Sequence, residues 1–131
     1  MFEWHGWATV RASAGTEDDR AAKEAQRAAE RSVAALINEA AGAYNEAVDV
    51  RNANGSIHVW LAGSHNHRDD RVIELFRTLA QTAPGSYGVM YVLDDVSSCN
   101  WQRWVMRRGH IAQEADTSLS PHVGLVEDPE P

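Results

Sequence analysis

Residues 2–12, FEWHGWATVRA, change character at every step. Phe2, Trp4, Ala8 and Val10 share one parity; Glu3, His5, Trp7 and Thr9 share the other. A period of two predicts a strand, because successive side chains leave a pleated backbone on opposite faces. After Gly15 the period lengthens. Thr16 reads as a helix N-cap with Asp19 in the capping-box position, and three acids in the first turn suit the positive end of a helix dipole. This helix is expected to run to about Ala41 and stop at Gly42. Its apolar stripe is Ala22, Ala25, Ala29, Val33, Leu36, Ile37 and Ala40, and most of those residues are small enough to let the helix lie close to whatever it covers. Arg20 and Glu24 stand four residues apart on the polar side, a spacing that pairs them.

The segment AYNEAVDVRNANGSIHVWLAGS contains two strands flanking Asn52-Ala53-Asn54-Gly55, and Asn-Gly is a strong hairpin signal. On the second strand Ile57, Val59 and Leu61 oppose His58, Trp60 and Ala62. A second helix is predicted from about Asp69 to Thr82, with Val72, Leu75, Phe76 and Leu79 inside and Ala83-Pro84-Gly85 ending it. SYGVMYVLDD and NWQRWVMRR then read as strands joined across Val96–Cys99, and residues 110–116 add a short edge strand. The tail SPHVGLVEDPEP is rich in proline and acid and reads as extended over about 117–131. The order β-α-β-β-α-β-β predicts one α+β domain over 1–131. Its antiparallel sheet carries both helices on one face, with a ferredoxin-like split βαβ core and a C-terminal hairpin.

Two helices on one face leave the other uncovered. If Val10, Val59 and Leu61 face the helices, alternation sends His5, Trp7, His58 and Trp60 to the open side, where Trp104 or Trp101 of the later hairpin is expected to join them. Tryptophan contributes heavily to binding energy at protein interfaces, so this face is the candidate contact surface. The competing fate is coverage by the tail or the last strand.

Composition narrows the partner. Twelve Lys and Arg against nineteen Asp and Glu give a net charge of −7. That repels phosphate backbones and argues against nucleic acid as ligand. Nor does an RNA-recognition reading of the aromatic sheet face find a Lys/Arg-and-aromatic RNP segment. Cys99 is the only cysteine and cannot form an internal disulfide. The start MFEWHGW has neither a basic nor an apolar leader region, and no apolar run reaches membrane-spanning length. A cytoplasmic protein without a bound cofactor is expected.

One stretch invites chemistry. GSHNHRDD, residues 63–70, spaces His65, His67 and Asp69 as in the His-x-His-x-Asp-His motif of metallo-β-lactamase-like hydrolases, but Asp70 stands in place of the last histidine. A helix entrance explains the same residues: Asn66 as N-cap and Asp69 three positions on. Asp94 and Asp95 are adjacent on a strand end and so point to opposite faces, which weakens a paired-carboxylate reading. Cys99 has no activating base near it in sequence.

The start MFEWHGWATV, with His5-Gly6-Trp7, the segment GSHNHRDDRVIELF with Asn66-His67-Arg68, the run APGSYGVMYVLDD, and NWQRWVMRRGHI come in an order and spacing that resemble the immunity protein 7 family of bacterial polymorphic toxin systems. The resemblance runs to about Pro121. It implies a small cytoplasmic α+β protein without enzymatic activity that neutralises a toxin by binding its effector domain. Many such toxins are nucleases with basic clefts, toward which an acidic inhibitor is steered electrostatically. From the residues themselves, the expected contact set is His5, Trp7, His58, Trp60 and Trp104 on the sheet, with His65, His67, Arg68, Asp94 and Asp95 at its rims. Two other readings stay open at this point: a small metal-dependent enzyme using His65, His67 and Asp69, and a ligand-binding or oligomeric module using the same sheet face.

Overall fold

The structure, a computed structural model, describes residues 1–15, 18–41 and 47–122. Its elements follow in the order β1 Phe2–Thr9, α1 Arg20–Ala41, β2 Ala47–Ala53, β3 Ser56–His65, α2 Asp70–Thr82, β4 Tyr87–Asp94, β5 Gln102–Arg107 and β6 His110–Ala115. The strands form one sheet in the order β2-β3-β1-β4-β5-β6, and each adjacent pair is antiparallel. β3 therefore lies between the two strands that α1 connects, and β1 lies at the centre between β3 and β4.

Two tight turns set the register of the outer hairpins. Asn54 and Gly55 have φ of 54° and 80°, as do Arg108 and Gly109 at 52° and 76°. Two successive left-handed residues are the two-residue turn whose twist matches paired strands. Asn54-Gly55 is legible as such in the sequence; Arg108, a long side chain in a left-handed conformation, is not. Gly88 answers a different need. A Cβ there would stand 2.1 Å from the Trp7 carbonyl oxygen, so the close seam between β1 and β4 admits glycine alone.

The core is one-sided. Phe2, Trp4, Ala8 and Val10 of β1, Val59 and Leu61 of β3, Met90 and Val92 of β4, and Trp104 and Met106 of β5 are buried on the face that meets the helices. Val33 and Ile37 of α1 and Val72, Phe76 and Leu79 of α2 close the layer from above. Ala25, expected in the α1 stripe, is exposed, and Gln26 turns inward instead. Its Nε2 donates to the Val10 carbonyl at 2.9 Å and its Oε1 accepts from the Ala12 N–H at 2.8 Å. The chain leaving β1 has no strand partner for these groups, and one amide side chain satisfies both.

Both helix starts differ from the expected caps. Thr16 and Gly42 lie outside the described residues. Asp19, expected inside the first turn of α1, is the residue whose Oδ1 accepts the Ala22 N–H at 2.8 Å, so it caps a helix beginning at Arg20. In α2 the cap is Asp69 and not Asn66. Asp69 has an extended backbone, and its Oδ1 accepts the Arg71 N–H at 3.1 Å. The strand β3 continues through His65, which leaves Asn66 too early to reach the first free amides. Among the described residues no helix is long and apolar enough to cross a membrane.

Candidate protein-binding surface

The register assembles the second face row by row. Trp7 stands between Trp60 and Val89; Asp49 follows beyond Trp60, and Val105 and then Ala112 beyond Val89. The neighbouring rows are Arg51, His58, Thr9, Tyr87, Arg107 and His110 on one side, and Ala62, His5, Tyr91, Arg103 and Glu114 on the other. Charged and polar groups thus border an aromatic and aliphatic middle. Trp7 and Trp60 are 41% and 42% exposed, and Tyr87 is 47% exposed. Tyr87 meets Trp7 edge-on at 6.2 Å, and the His58 ring lies 5.8 Å from Trp60.

The two face histidines are held in place by neighbours. His58 Nδ1 is 2.9 Å from Thr9 Oγ1, and His5 Nε2 is 2.6 Å from Glu3 Oε2. A concavity of about 450 Å³ opens between the indoles, lined by His5, Trp7, Asp49, Trp60, Ala62 and Tyr91 among others. It is an apolar hollow with a few polar groups at its border, and it offers shape and desolvation to a complementary surface.

The same face is sealed at one end. Leu93 and Trp101 point this way by alternation, yet Trp101 is only 6% exposed and Leu93 is fully buried. Residues 116–122 lie across Trp101. The Asp116 N–H donates to the Trp101 carbonyl at 2.9 Å, the Trp101 N–H donates to Ser120 Oγ at 2.8 Å, and the His122 ring meets the indole edge-on at 5.9 Å. Asp116 holds this strap. Its carboxylate accepts the Leu119 N–H at 2.6 Å and the Ser118 N–H and Oγ–H at 3.0 Å each. The Leu119 amide, followed by the Ser118 groups, keeps the Asp116 carboxyl below the usual carboxylate range. Among the described residues, coverage by the tail thus holds for Trp101 alone.

The remaining expected contacts separate. Trp104 does not join the open face: paired with Met90, it faces the helices, is 7% exposed, and lies under the Arg77 guanidinium at 5.3 Å. Alternation in β5 had two possible phases, and the register with β4 chooses the one that turns Trp101 and Arg103 outward. His65 also lies on the helix side, half-buried, its ring 5.1 Å from Trp4 and its Nε2 3.6 Å from Asp69. Arg68 spans Asp70 at 2.7 Å and Asp94 at 3.4 Å, and its guanidinium sits 5.8 Å above the Phe2 ring. The Asp70 hydrogen bond raises the Arg68 pKa. Asp95 pairs with the Met1 ammonium at 2.6 Å, and His67 is exposed in the loop before α2. These five residues form a polar collar at one end of the strands, apart from the His5, Trp7, His58 and Trp60 group.

The metal pattern finds no geometry to match. Asp69 caps α2 and is gripped by Arg71 at 2.9 and 2.8 Å, and that side-chain bond lowers its pKa. Among the described residues no group of three His, Cys, Asp or Glu side chains is placed to hold a metal ion. Sequence reasoning passed over Tyr87, Tyr91, Val89, Val105 and Arg107, which share the open face. Their alternation is visible in the sequence, but which parity faces outward depends on the β1–β4 register.

The model of the family described as immunity protein 7 matches residues 1–128 of the chain. No curated protein matches the chain, and no solved structure does.

Proposed function

The chain belongs to the immunity protein 7 family, and from that premise we propose that it neutralises a cognate bacterial toxin by binding the toxin's effector domain one to one. The binding face is the bare side of the sheet, centred on Trp7 and Trp60 and flanked by His5 and His58. The observation that carries this reading is the pair of indoles, adjacent across β1 and β3 and each about two fifths exposed, beside an apolar hollow. A monomer rarely leaves large rings contiguous and wet unless something covers them. Inhibition proceeds by occlusion, without catalysis or cofactor, in the cytoplasm of the cell that makes the toxin. Nuclease domains with basic clefts are the toxin class that the −7 charge attracts at long range. The collar of His65, His67, Arg68, Asp94 and Asp95 serves as a peripheral contact.

Co-expression with the toxin encoded by the neighbouring gene tests the reading. The chain is expected to rescue growth and to co-purify with the toxin domain. The variant carrying Trp7→Ala and Trp60→Ala is expected to stay folded and do neither. A folded wild-type chain that neither binds nor protects would falsify the proposal.

A further inference from the structure

A second hollow, of about 600 Å³, lies on the other side of Trp7. Its floor is apolar: Trp7, Tyr87, Val89 and Val105. Its border is not. Arg11, Arg107 and Arg108 line it, and among the described residues no aspartate or glutamate does. All three arginines are exposed, and among the described residues none of them makes an ion pair. Most other arginines with a place on this side of the sheet are already matched: Arg51 with Asp49 at 2.6 Å and Arg103 with Glu114 at 2.7 Å. In a chain of net charge −7, three guanidiniums around one aromatic floor, unmatched among the described residues, are a local reversal of sign.

We propose that this hollow receives an acidic segment of the toxin domain, an apolar side chain seated between Trp7 and Tyr87 with flanking Asp or Glu carboxylates on Arg11, Arg107 and Arg108. The inference rests on the reading that this sheet face is where the toxin docks, and it deepens that reading by naming the chemistry of the partner's contact. Guanidinium forks match carboxylates in two-bond geometry, and the apolar floor excludes water from those bonds. The two signs act at different ranges. At a distance local features average out and the summed charge of the chain biases approach, a bias that salt weakens beyond about 8 Å. At contact, the three arginines decide register and partner choice. The net charge brings the surfaces together; the arginine border accepts one orientation and rejects a toxin whose matching segment is neutral or basic. Arg108 is well placed for this, in the left-handed turn between β5 and β6 and exposed at the border of the hollow.

Titration calorimetry of the full chain against the toxin domain encoded beside it reads the effect. The variant Arg107→Glu with Arg108→Glu is expected to weaken binding by on the order of 10-fold or more. Arg31→Glu, on the exposed side of α1, is expected to stay within about twofold, as a rim-distant charge should. A photo-crosslinking benzoylphenylalanine in place of Tyr87 is expected to capture a toxin peptide richer in Asp and Glu than in Lys and Arg. Capture of a neutral or basic peptide overturns the inference. So does unchanged affinity of the double arginine variant while Trp7→Ala loses binding, and in that case the sheet-face reading survives. If Trp7→Ala, Trp60→Ala and the arginine variant all bind like the wild type, both fall.

Discussion

Trp4 and Trp7 stand three residues apart on one strand, and the pleat gives them opposite surroundings. Trp4 is 2% exposed, packed between Phe2 and His65 beneath the helices. Trp7 is 41% exposed, with Trp60 and Val89 as lateral neighbours and Tyr87 edge-on beside it. The same side chain serves the fold at one position and is left for a partner at the other. A two-layer protein of this kind makes its stability on one side of the sheet, so the second side is free to vary with what it must bind.

The largest expected effect comes from testing the covered side. Trp4→Ala removes a fully buried indole and is expected to cost about 3–5 kcal/mol, enough to unfold a marginally stable domain. Urea denaturation followed by circular dichroism measures it. Trp7→Ala on the open side should stay within about 1 kcal/mol of wild type in the same experiment. If the two variants are destabilised alike, the division of labour between the faces is wrong.

Affinity should invert that order. Trp7→Ala and Trp60→Ala are each expected to cost about 2 kcal/mol or more of toxin binding, roughly a 30-fold rise in Kd. Trp101→Phe, sealed at the end of the same face, should leave affinity within about twofold if it makes no contact. Surface plasmon resonance against the toxin domain separates the cases, with the loss expected in the dissociation rate.

A smaller effect examines the cover itself. Asp69→Ala removes the cap of α2, and a cost of about 1 kcal/mol is expected by thermal or urea melting. Asn66→Ala, at the position the sequence favoured, should change stability by less than about 0.5 kcal/mol. The reverse result would return the helix start to Asn66.

What was legible in the sequence was periodic. The alternation of residues 2–10 put Phe2, Trp4, Ala8 and Val10 inside, and Asn54-Gly55 marked its hairpin, because both signals are local properties of the backbone. The helix starts were less legible. Asn, Asp and Thr compete for a cap at several adjacent positions, and the end of the preceding strand decides between them, as it does for Asp69 over Asn66. The phase of β5 was beyond local reading as well. NWQRWVMRR places tryptophans at both parities, so only pairing with Met90 assigns Trp104 to the core. The strap over Trp101 was hidden for a different reason. Asp116 and Ser120 lie in a polar stretch without period, and their bonds to the Trp101 backbone join positions 15 and 19 residues apart. The arginine border of the second hollow is likewise a product of assembly, since Arg11 and Arg107 meet only through β1 and β4.

The smallest effect concerns that strap, which among the described residues is the one place where the open face is closed by its own chain. The ionised Asp116 carboxylate is the form that accepts the Leu119 and Ser118 bonds, so its folded pKa lies below the ordinary 3.8. A depressed carboxyl contributes stability that is present above the unfolded pKa and lost as pH falls through the folded one. The strap should therefore be closed at neutral pH and loosen only below about pH 3.8. Asp69 titrates in the same direction, because its Arg71 bond lowers its pKa too, so acid alone does not isolate the strap. Asp116→Asn does: the acid-dependent shift of the Trp101 indole resonance in NMR spectra should disappear, while the low-pH change at the α2 amides remains. Asp116→Ala removes three accepted bonds and should release residues 117–122 at neutral pH, moving the Trp101 resonance toward its solvent-exposed position with the core resonances in place. If Trp101 stays shielded in that variant, its ring contact with His122 holds the strap without the carboxylate. The closed end of the face is then a second small core and not a hydrogen-bonded latch.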